Sequence, residues 1–450
     1  MGKTYKIRKG LDIHLVGKPE LKLRKSSSGN YCILRPDEFF GIIPKLNLKN
    51  GDTVKRGECV YFDKNIPEIL FTSPVCGKVK DVIRGEKRRI KEIIIEAGNE
   101  DDFVKFETTA ALNNDPSEIK NILLSSGVWP YIKQRPYGIV ANPNDSPRDI
   151  FISFFDSAPL ASDFDFILLD KKEQINIALK TLSRLVESKI YLSFKKGSIL
   201  VNIIDNIENY EINYFDGPHP SGLVGVHINH IKPVNKGDVV WTINAADLPI
   251  IGNLLLTGEY YPERTVALSG SEMKDNVYYK LIAGSDLKDI LKDNTKSNNY
   301  RVISGNVLTG KNVSDNPSLG FFDTTITVIP EGNHYEMFGW AVPGLNKLSN
   351  SKTFLSALTP GRKFIVDTNL HGGERAYVVT GEYEKVCPMD IYPQLLVKAA
   401  ITEDIDKMEQ LGIYEVIEED LALCEFVCTS KIEVQSVIRN GLELIRKEMS

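Results

Sequence analysis

Residues Gly41–Glu96 contain short apolar segments separated by turn signals, and this pattern limits the fold of the first part of the chain more than any other feature. Asn50-Gly51-Asp52 is typical of a hairpin turn, because a positive φ costs Asn and Gly little. Gly57 and Gly77 mark further breaks between the apolar segments that follow. The pattern therefore predicts a small β domain built from short strands.

Two pieces of this stretch resemble the barrel-sandwich fold of biotinyl and lipoyl carrier domains: Gly51-Asp52-x-Val54-x-x-Gly57 and Ser73-Pro74-Val75-x-Gly77-x-Val79. A carrier attaches its cofactor to a lysine at a tight hairpin between such pieces, and the only lysine at that place is Lys64. Lys64 lacks the flanking Met of a biotin site and the acidic-Asp-Lys-Ala setting of a lipoyl site. We therefore expect a structural relative rather than a working carrier, since a shared fold does not determine function.

The chain has 450 residues, of which 42% are hydrophobic and 26% charged, as in ordinary folded proteins. This length exceeds what one compact core supports, so we expect three or four domains. The strongest apolar runs, Ile150–Phe155 and Leu248–Leu256, are far shorter than the roughly 18 residues of a membrane-spanning helix. The first ten residues lack the apolar region of a secretory signal, so we expect the chain to stay in the cytoplasm.

Positive charge is concentrated at the start of the chain. Residues 1–91 carry 21 Lys and Arg against 10 Asp and Glu, although the whole chain has a net charge of -5. The densest basic run, Lys78–Lys91, suits anionic lipid headgroups, nucleic acid or an acidic partner surface, unless it is simply the solvated face of a β domain. Nucleic acid is the least favoured partner, because this run has no aromatic residue on which a base could stack.

A second unit is predicted to begin near Asn113. Asp115-Pro116-Ser117-Glu118 places Asp, Pro and Glu where a helix start prefers them, and the helix should run to about Ser126. Lys172–Val186 has apolar residues at helical spacing. Three segments are strand-like: Phe151–Phe155, Ile190–Phe194 and Ile199–Ile203. Strand, helix and strand in this order predict an α/β layer with some parallel pairing.

The pattern of predicted secondary structure changes twice in the later part of the chain. Short strands alternate with one short helix from Tyr260 to Val328, whereas the pattern is helical from Met389 onward, including Thr402–Leu411 and Ile432–Lys447. We therefore predict a multidomain fold of mixed α/β (α+β) class. Its parts are a barrel-sandwich domain at 1–110, an α/β domain at 111–258, a small SLBB-like α+β module at 259–330, a connecting segment at 331–388 and a helical domain at 389–450.

Three of the six cysteines lie near the C-terminal end. A four-iron ferredoxin site uses C-x2-C-x2-C-x3-C-P, because four thiolates must close on one cluster. Cys424 and Cys428 match only the last two ligands, and Cys387 with its following proline matches only the tail of a second motif. This region looks like a two-cluster ferredoxin domain that has lost its metal. We favour buried thiols over a zinc site, since zinc normally takes four ligands and no histidine is near these cysteines in the sequence.

Longer motifs resemble the NqrA subunits of the Na⁺-translocating NADH:quinone reductases along nearly the whole chain. They are Lys6–Ile13, Ser126–Pro130 with Arg135-Pro136, Gly217–Gly225 and Asp420–Cys428. Related subunits of the Rnf type keep complete cluster motifs in the helical tail. The incomplete motifs of this chain therefore favour a resemblance to the quinone reductases over one to the Rnf type. The N-terminal half is also similar to the flavin subunit of respiratory complex I.

The resemblance implies a peripheral subunit on the cytoplasmic side of the bacterial inner membrane, in a complex with five other subunits. That complex moves electrons from NADH through flavins and an iron–sulfur centre to ubiquinone or menaquinone, and it exports Na⁺. This chain would meet the membrane surface through its partners and would carry no catalytic residue, metal or covalently bound cofactor of its own. We expect NADH to be used by the complex and not by this chain.

A nucleotide site needs a Gly-rich loop that leaves a strand and opens a helix. The one Gly-rich run, Gly217–Gly225, contains two prolines and continues into Leu223–Ile228, which is strand-like. We therefore expect a tight backbone turn that binds neither NADH nor FMN. His227 and His230 would point to opposite faces of such a strand, so we favour ordinary hydrogen-bonded imidazoles over a metal site that also uses His219.

A quinone needs an aromatic or aliphatic slot for its ring and a donor or two for its carbonyls. In the family, the stretch Trp129–Tyr137 is a candidate quinone contact, and Tyr31–Phe40 is a second candidate of the same kind. The competing interpretation of the first stretch is a helix end whose Trp packs on the core. The candidate quinone-binding residues are Trp129, Pro130, Tyr131, Arg135, Pro136 and Tyr137.

Two other functions stay open from the sequence. One is an iron–sulfur electron-transfer subunit of an Rnf-type complex, and the other is a structural adaptor without quinone affinity. The sequence contains no Ser-His-Asp order, paired-carboxylate motif or P-loop. Hydrolase and kinase activities therefore have no support.

Overall fold

The computed structural model describes residues 2–25, 29–99, 101–109, 115–206, 209–334, 337–339, 341–359 and 361–449. The predicted fold class is confirmed: two small β-sheets come first, followed by a seven-stranded sheet with helices, a six-stranded sheet and a group of helices. The predicted start of the second unit near Asn113 lies outside the described residues. Among the described residues, no helix combines the length and apolarity needed to cross a membrane.

The first domain packs a four-stranded sheet of order β3-β9-β8-β5 against a three-stranded sheet of order β4-β6-β7. Its turns need left-handed backbone at Gly51 and Gly57, with φ of 94° and 84°, as the sequence predicted. Lys64 is exposed in the connection between β6 and β7. The strands are β3 (Tyr31–Leu34), β4 (Pro44–Leu46), β5 (Thr53–Val54), β6 (Cys59–Asp63), β7 (Leu70–Thr72), β8 (Gly77–Arg84) and β9 (Ile90–Ala97).

Two short strands in the first 24 residues pair with other sheets and not with the two sheets of the first domain. Strand β1 (Lys3–Lys6) pairs in parallel with residues 213–216 at the edge of the seven-stranded sheet. Strand β2 (Leu23–Arg24) pairs with residues 278–279 of the six-stranded sheet. These partners are more than 200 residues away, so local sequence patterns carry no signal for them.

The second domain is a doubly wound α/β layer with strand order β1-β14-β13-β12-β15-β10-β11. The first helix begins where predicted, and the side chain of Asp115 caps it by accepting from the Ser117 N–H. Strand β12 pairs in parallel with both β13 and β15, so the winding reverses between β12 and β15. The elements are α1 (Pro116–Ser125), β10 (Lys133–Arg135), β11 (Ile139–Val140), β12 (Asp149–Ser153), α2 (Phe164–Leu168), α3 (Lys172–Leu182), β13 (Lys189–Lys195), β14 (Tyr210–Asp216), α4 (Val224–Ile231), β15 (Val240–Asn244) and α5 (Leu248–Thr257).

Two strand predictions in this domain are wrong. Ile199–Ile203 contains a 3-10 helix at Leu200–Ile203, and Leu223–Ile228 lies at the start of α4. Short runs rich in Val and Ile suit a strand and a buried helix equally well, because periodicity cannot separate them over so few residues.

The third domain is a six-stranded sheet of order β19-β18-β20-β16-β17-β2 with one short helix. Its own core includes Val266, Leu268, Val302 and Val328. The elements are β16 (Glu263–Ser269), β17 (Tyr278–Ile282), α6 (Lys288–Lys292), β18 (Tyr300–Ser304), β19 (Lys311–Asn312) and β20 (Thr325–Pro330).

Residues 331–388 connect this sheet to the helical domain. The described part of this segment has little regular structure, with a 3-10 helix at Leu355–Leu358 and helix α7 (Tyr383–Val386). The helical domain that follows has α8 (Pro393–Ile401), α9 (Ile405–Gln410), α10 (Ala422–Val427) and α11 (Val434–Met449). The second of these is shorter than the predicted Thr402–Leu411, because the side chain of Asp404 accepts from the Lys407 N–H and starts the helix there.

Candidate functional site

Aromatic side chains from three domains meet at one place, which we call the aromatic junction: Phe39, Tyr61, Phe71, Tyr131, Phe321 and Phe322. The ring of Tyr131 stacks on Phe321 with centroids 4.4 Å apart and an interplanar angle of 17°. Phe39 packs edge-on against Phe321 at 4.8 Å. The two stretches predicted as quinone contacts are therefore brought together through Phe321, a residue of the third domain.

A small cavity of about 20 Å³ lies beside the aromatic junction. It has room for about one water molecule, so a larger ligand could enter only if side chains of the junction moved apart. Most of its wall is apolar, and the polar exceptions include two charged side chains of the first domain. The lining includes Arg35, Glu38, Phe39, Tyr61, Phe71 and Phe321.

Arg35 is a buried cation with an unpaired guanidinium nitrogen. Its Nε donates to the Glu92 carboxylate at 2.9 Å, and its Nη2 donates to the Asn316 carbonyl oxygen at 2.8 Å. Among the described residues, its buried Nη1 has no hydrogen-bond partner. A buried donor without an acceptor is costly, so a ligand carbonyl in the cavity would relieve that cost.

Glu38 joins the first domain to the third. Its Oε2 accepts a hydrogen bond of 2.7 Å from the Phe321 N–H. Burial raises the pKa of Glu38 to about 7, and the negative charge of Asp323 acts in the same direction, whereas Lys311 and Arg35 oppose it. The carboxyl group is therefore partly protonated near neutral pH and can act as a hydrogen-bond donor.

Trp129 and Pro130 are core residues. Trp129 lies in a 3-10 helix (Trp129–Tyr131), is completely buried, and donates from Nε1 to the Ala141 carbonyl oxygen at 2.7 Å. Its ring packs edge-on against Trp241 with centroids 5.4 Å apart. This is the environment described by the competing interpretation. None of the six candidate residues, Tyr131 included, is among those that line the cavity.

The end of the same stretch contacts the helical domain instead. The Nη1 of Arg135 donates to the Asp420 carboxylate at 2.6 Å, and its Nη2 lies 3.4 Å from the Glu419 carboxylate. Pro136 is buried beside it, and the Tyr137 ring packs edge-on against Tyr414. The structure therefore divides the six candidates into Tyr131 at the aromatic junction, two core residues and three at a domain interface.

The three C-terminal cysteines lie in the core of the helical domain. Cys387, Cys424 and Cys428 expose 2%, 1% and 3% of their surface. A hydrogen bond from Cys424 lowers the pKa of Cys387, and burial raises the pKa of Cys424. Over the described part of the chain, no group of three or more His, Cys, Asp or Glu side chains is arranged to hold a metal ion. The predicted burial of these three thiols is observed.

The Gly-rich run requires a correction. It leaves β14 and opens helix α4, which is the arrangement of a nucleotide loop and not the strand that the sequence predicted. Its glycines serve close backbone contacts, because a Cβ on Gly217 would lie 2.3 Å from the Ile7 carbonyl oxygen. A Cβ on Gly222 would lie 2.7 Å from the Ser157 nitrogen. The chain's own backbone therefore occupies the space around these glycines.

The usual nucleotide position in such a fold is the crevice beyond the strand ends where the winding reverses, here β12 and β15. Residues after β12 contact the third domain. The Ser162 and Thr324 hydroxyls are 2.9 Å apart, and the Asp163 N–H donates to the Tyr278 hydroxyl at 2.9 Å. The third domain therefore packs closely against this side of the sheet.

The predicted strand at His227 and His230 is wrong, because both residues lie in helix α4. The His227 ring bonds to the Ser221 carbonyl oxygen at 2.8 Å, and the His230 ring bonds to the Val226 carbonyl oxygen at 2.9 Å. Burial lowers the pKa of His227 to about 3 and that of His219 to about 4. The predicted hydrogen-bonded imidazoles are present, although the reason given from a strand was wrong.

Three family models match the chain in order. The model for the NqrA N-terminal barrel-sandwich hybrid domain covers residues 5–98, that for the NqrA second alpha/beta domain covers 114–260, and that for the NQRA C-terminal domain covers 265–315. The NqrA subunit of the Na⁺-translocating NADH-quinone reductase of Vibrio atlanticus is 37% identical over 98% of this chain and 99% of its own length. The corresponding protein of Haemophilus influenzae is 36% identical with the same coverage. The chain belongs to this family.

The family assignment confirms the resemblance seen in the motifs, and the three matched domains are the barrel-sandwich, α/β and SLBB domains of NqrA. A more distant similarity links the chain to an NAD⁺-reducing [NiFe]-hydrogenase in the H₂-reduced state, with a TM-score of 0.42 and 11% identity over 76% of this chain and 63% of that chain. A similarity this low implies no shared function.

Sequence reasoning missed the residues that complete the aromatic junction. Phe321 and Phe322 lie in a loop just before β20. Tyr61 lies in strand β6, and Phe71 lies in strand β7. The adjacent aromatic pair Phe321-Phe322 in a connection between strands was the available signal.

Proposed function

We propose that this chain is a peripheral subunit, on the cytoplasmic side of the membrane, of a six-subunit Na⁺-translocating NADH:quinone reductase, and that it contributes to binding ubiquinone or menaquinone. The observation that supports quinone binding is the aromatic junction. Two stretches far apart in the sequence, each a candidate quinone contact, meet there through Phe321.

The side chains of the aromatic junction and the neighbouring Arg35 have the chemistry that a quinone ring needs. A quinone is flat and apolar except for two carbonyl oxygens that accept hydrogen bonds. The rings of Phe39, Phe71 and Phe321 offer apolar faces and edges, which favour stacking with another ring. Arg35 offers the unpaired Nη1 donor. The chain would bind and orient the ring, while electrons arrive from partner subunits that use NADH.

We do not assign a nucleotide or a flavin to this chain. Support comes from the close packing around Gly217 and Gly222 and from the third-domain contacts of Ser162. NADH would then be bound elsewhere in the complex. Visible absorption of the anaerobically purified chain tests the competing iron–sulfur subunit, because a cluster absorbs in the visible and thiols do not.

Equilibrium binding of a short-chain quinone to the purified chain tests the proposed site. Phe321→Leu should weaken binding about 2- to 10-fold, because an aromatic pair contributes roughly 0.5–1.5 kcal/mol beyond area burial. Arg35→Lys keeps the charge but loses the planar fork, and it should weaken binding further. Phe106→Leu is the matched control, since Phe106 is also partly buried and packs near Gly57. Equal affinities for all four proteins would favour a structural adaptor.

We further propose that the basic hairpin of β8 and β9 docks onto membrane-embedded partners. Lys87, Arg88 and Arg89 are exposed at its tip. Ion pairs between exposed charges weaken as salt screens them, so reassembly of the complex should fall as ionic strength rises. Insensitivity to salt would count against docking by charge, and binding of the isolated chain to anionic vesicles would point to lipid instead.

A further inference from the structure

The segment 337–366, which lies between the third domain and the helical domain, has an unusual charge composition; we call it the connecting lobe. It contains no Asp or Glu, although the whole chain has 60 Asp and Glu among its 450 residues. Its basic residues are Lys347, Lys352, Arg362 and Lys363. In a chain with a net charge of -5, this segment therefore carries a local positive charge that attracts anions.

The connecting lobe is fixed to itself and to the body of the chain by backbone hydrogen bonds. Its two halves are joined where the Leu355 N–H donates to the Pro343 carbonyl oxygen at 3.0 Å. Its far end is joined to the start of the chain, where the Phe364 N–H donates to the His14 carbonyl oxygen at 2.8 Å. These bonds hold the side chains of the lobe in a defined arrangement.

The 3-10 helix of the lobe, Leu355–Leu358, has its polar side inward and its apolar side outward. Ser356 is buried, and its hydroxyl donates to the Lys347 carbonyl oxygen at 2.6 Å. Leu355 and Leu358 expose 49% and 77% of their surface. Residues three apart lie on the same face of a 3-10 helix, so the two leucines form one apolar patch. A helix that borders only water normally has the opposite arrangement.

Further large apolar side chains of the lobe are exposed. They include Met337, Val342, Leu345 and Ile365. Single apolar residues on a surface need no explanation, but a group of them in one short segment marks contact with another molecule or with a membrane. Exposed apolar side chains together with Lys and Arg are typical of segments that lie on an anionic bilayer. The absence of acids favours the bilayer over a partner protein, because anionic headgroups would repel acids.

We propose that the connecting lobe contacts the lipid bilayer directly. Leu355 and Leu358 enter the boundary between headgroups and acyl chains, and the exposed Lys352 and Lys363 lie beside the phosphates of anionic lipids. This goes beyond contact with the membrane through partner subunits. It rests on the proposed peripheral location and not on the quinone site. The leucines give affinity for any bilayer, whereas the lysines add a preference for anionic lipid.

Flotation of the full-length chain with lipid vesicles tests this contact. The probes are vesicles of phosphatidylcholine alone and vesicles of phosphatidylcholine with phosphatidylglycerol. Leu355→Ser combined with Leu358→Ser should weaken binding to both by about 10-fold or more, because burial of one leucine already contributes a factor of about this size. Lys352→Gln combined with Lys363→Gln should weaken binding to the anionic vesicles by about 5-fold per charge and leave binding to the neutral vesicles unchanged.

Leu169→Ser combined with Leu256→Ser is the matched control, since these leucines are also exposed but lie in the α/β domain. This control should bind both kinds of vesicle as the unaltered chain does. Lys87→Gln combined with Arg88→Gln should also leave vesicle binding unchanged, because the basic hairpin is proposed to dock onto partners. Thermal melting shows that each variant is folded, as expected for changes at exposed positions.

Equal vesicle binding by the leucine variant and the unaltered chain would overturn the proposal, and so would the absence of binding to either kind of vesicle. A loss confined to the hairpin variant would place the lipid contact at the hairpin instead. Loss of complex assembly in the leucine variant without any vesicle binding would assign the lobe to a partner protein. Co-purification of the chain with the membrane complex tests the peripheral location separately, so that location can stand when the lipid contact fails.

Discussion

The ion pair between Arg135 and Asp420 should be the strongest single polar contact between the α/β domain and the helical domain. The two side chains expose 2% and 0% of their surface, and their charged atoms are 2.6 Å apart. Asp420 also accepts from the Ile417 N–H at 2.9 Å, a bond that asparagine can keep. Asp420→Asn therefore removes mainly the charge and leaves the guanidinium of Arg135 buried, with Glu419 at 3.4 Å as its remaining partner.

Leaving one partner of a buried pair without its counter-charge costs about 3–5 kcal/mol. We expect a loss near the lower end, about 3 kcal/mol, because Glu419 compensates in part. The assay is urea unfolding followed by circular dichroism and by tryptophan fluorescence, and differing transitions would show the helical domain separating first. Glu211→Gln is the control, since Glu211 pairs with Lys189 on the surface and such pairs contribute about 0–1 kcal/mol. A loss below about 1 kcal/mol in Asp420→Asn would refute the reasoning.

Three further predictions follow from buried groups. Gly225→Ala should destabilise the same interface, because its Cβ would lie 2.2 Å from an Asp420 carboxylate oxygen, and thermal melting measures the loss. The pKa of His227 is lowered to about 3 in the folded chain. Its neutral form therefore stabilises the fold above about pH 6.5, and this stabilisation is lost progressively as pH falls towards 3. His227→Gln should flatten that part of the acid-unfolding curve. Trp129→Phe should lower the free energy of unfolding by about 1–3 kcal/mol, because the bond to the Ala141 carbonyl is lost. The same variant should leave quinone affinity unchanged. Denaturant titration measures the first property and quinone titration the second.

Much of the fold was predictable because its signals are local. The cap at Asp115, the glycine turns at Gly51 and Gly57, and the helical spacing of Lys172–Val186 each specify one element within a few residues. The start of α4 was not predictable in this way, since Leu223–Ile228 is too short for its periodicity to separate a helix from a strand.

The candidate site was predictable only in part. Tyr131 and the stretch Tyr31–Phe40 were identified, but Phe321 reaches them through pairing and packing between domains, which no local pattern encodes. Trp129 shows the same limit, because a tryptophan in a candidate stretch is also well suited to fill the core, where the structure places it. Composition identifies which side chains can bind a ring, whereas tertiary contacts decide which of them surround a cavity.

The most direct test of the account is the position of a brominated short-chain quinone in crystals of the chain, located by the anomalous scattering of bromine. The proposed site predicts a single strong peak at the aromatic junction, beside Arg35, Phe39 and Phe321. A peak at another place in this chain would contradict the proposed site, and so would the lack of any peak at a quinone concentration that saturates binding in solution.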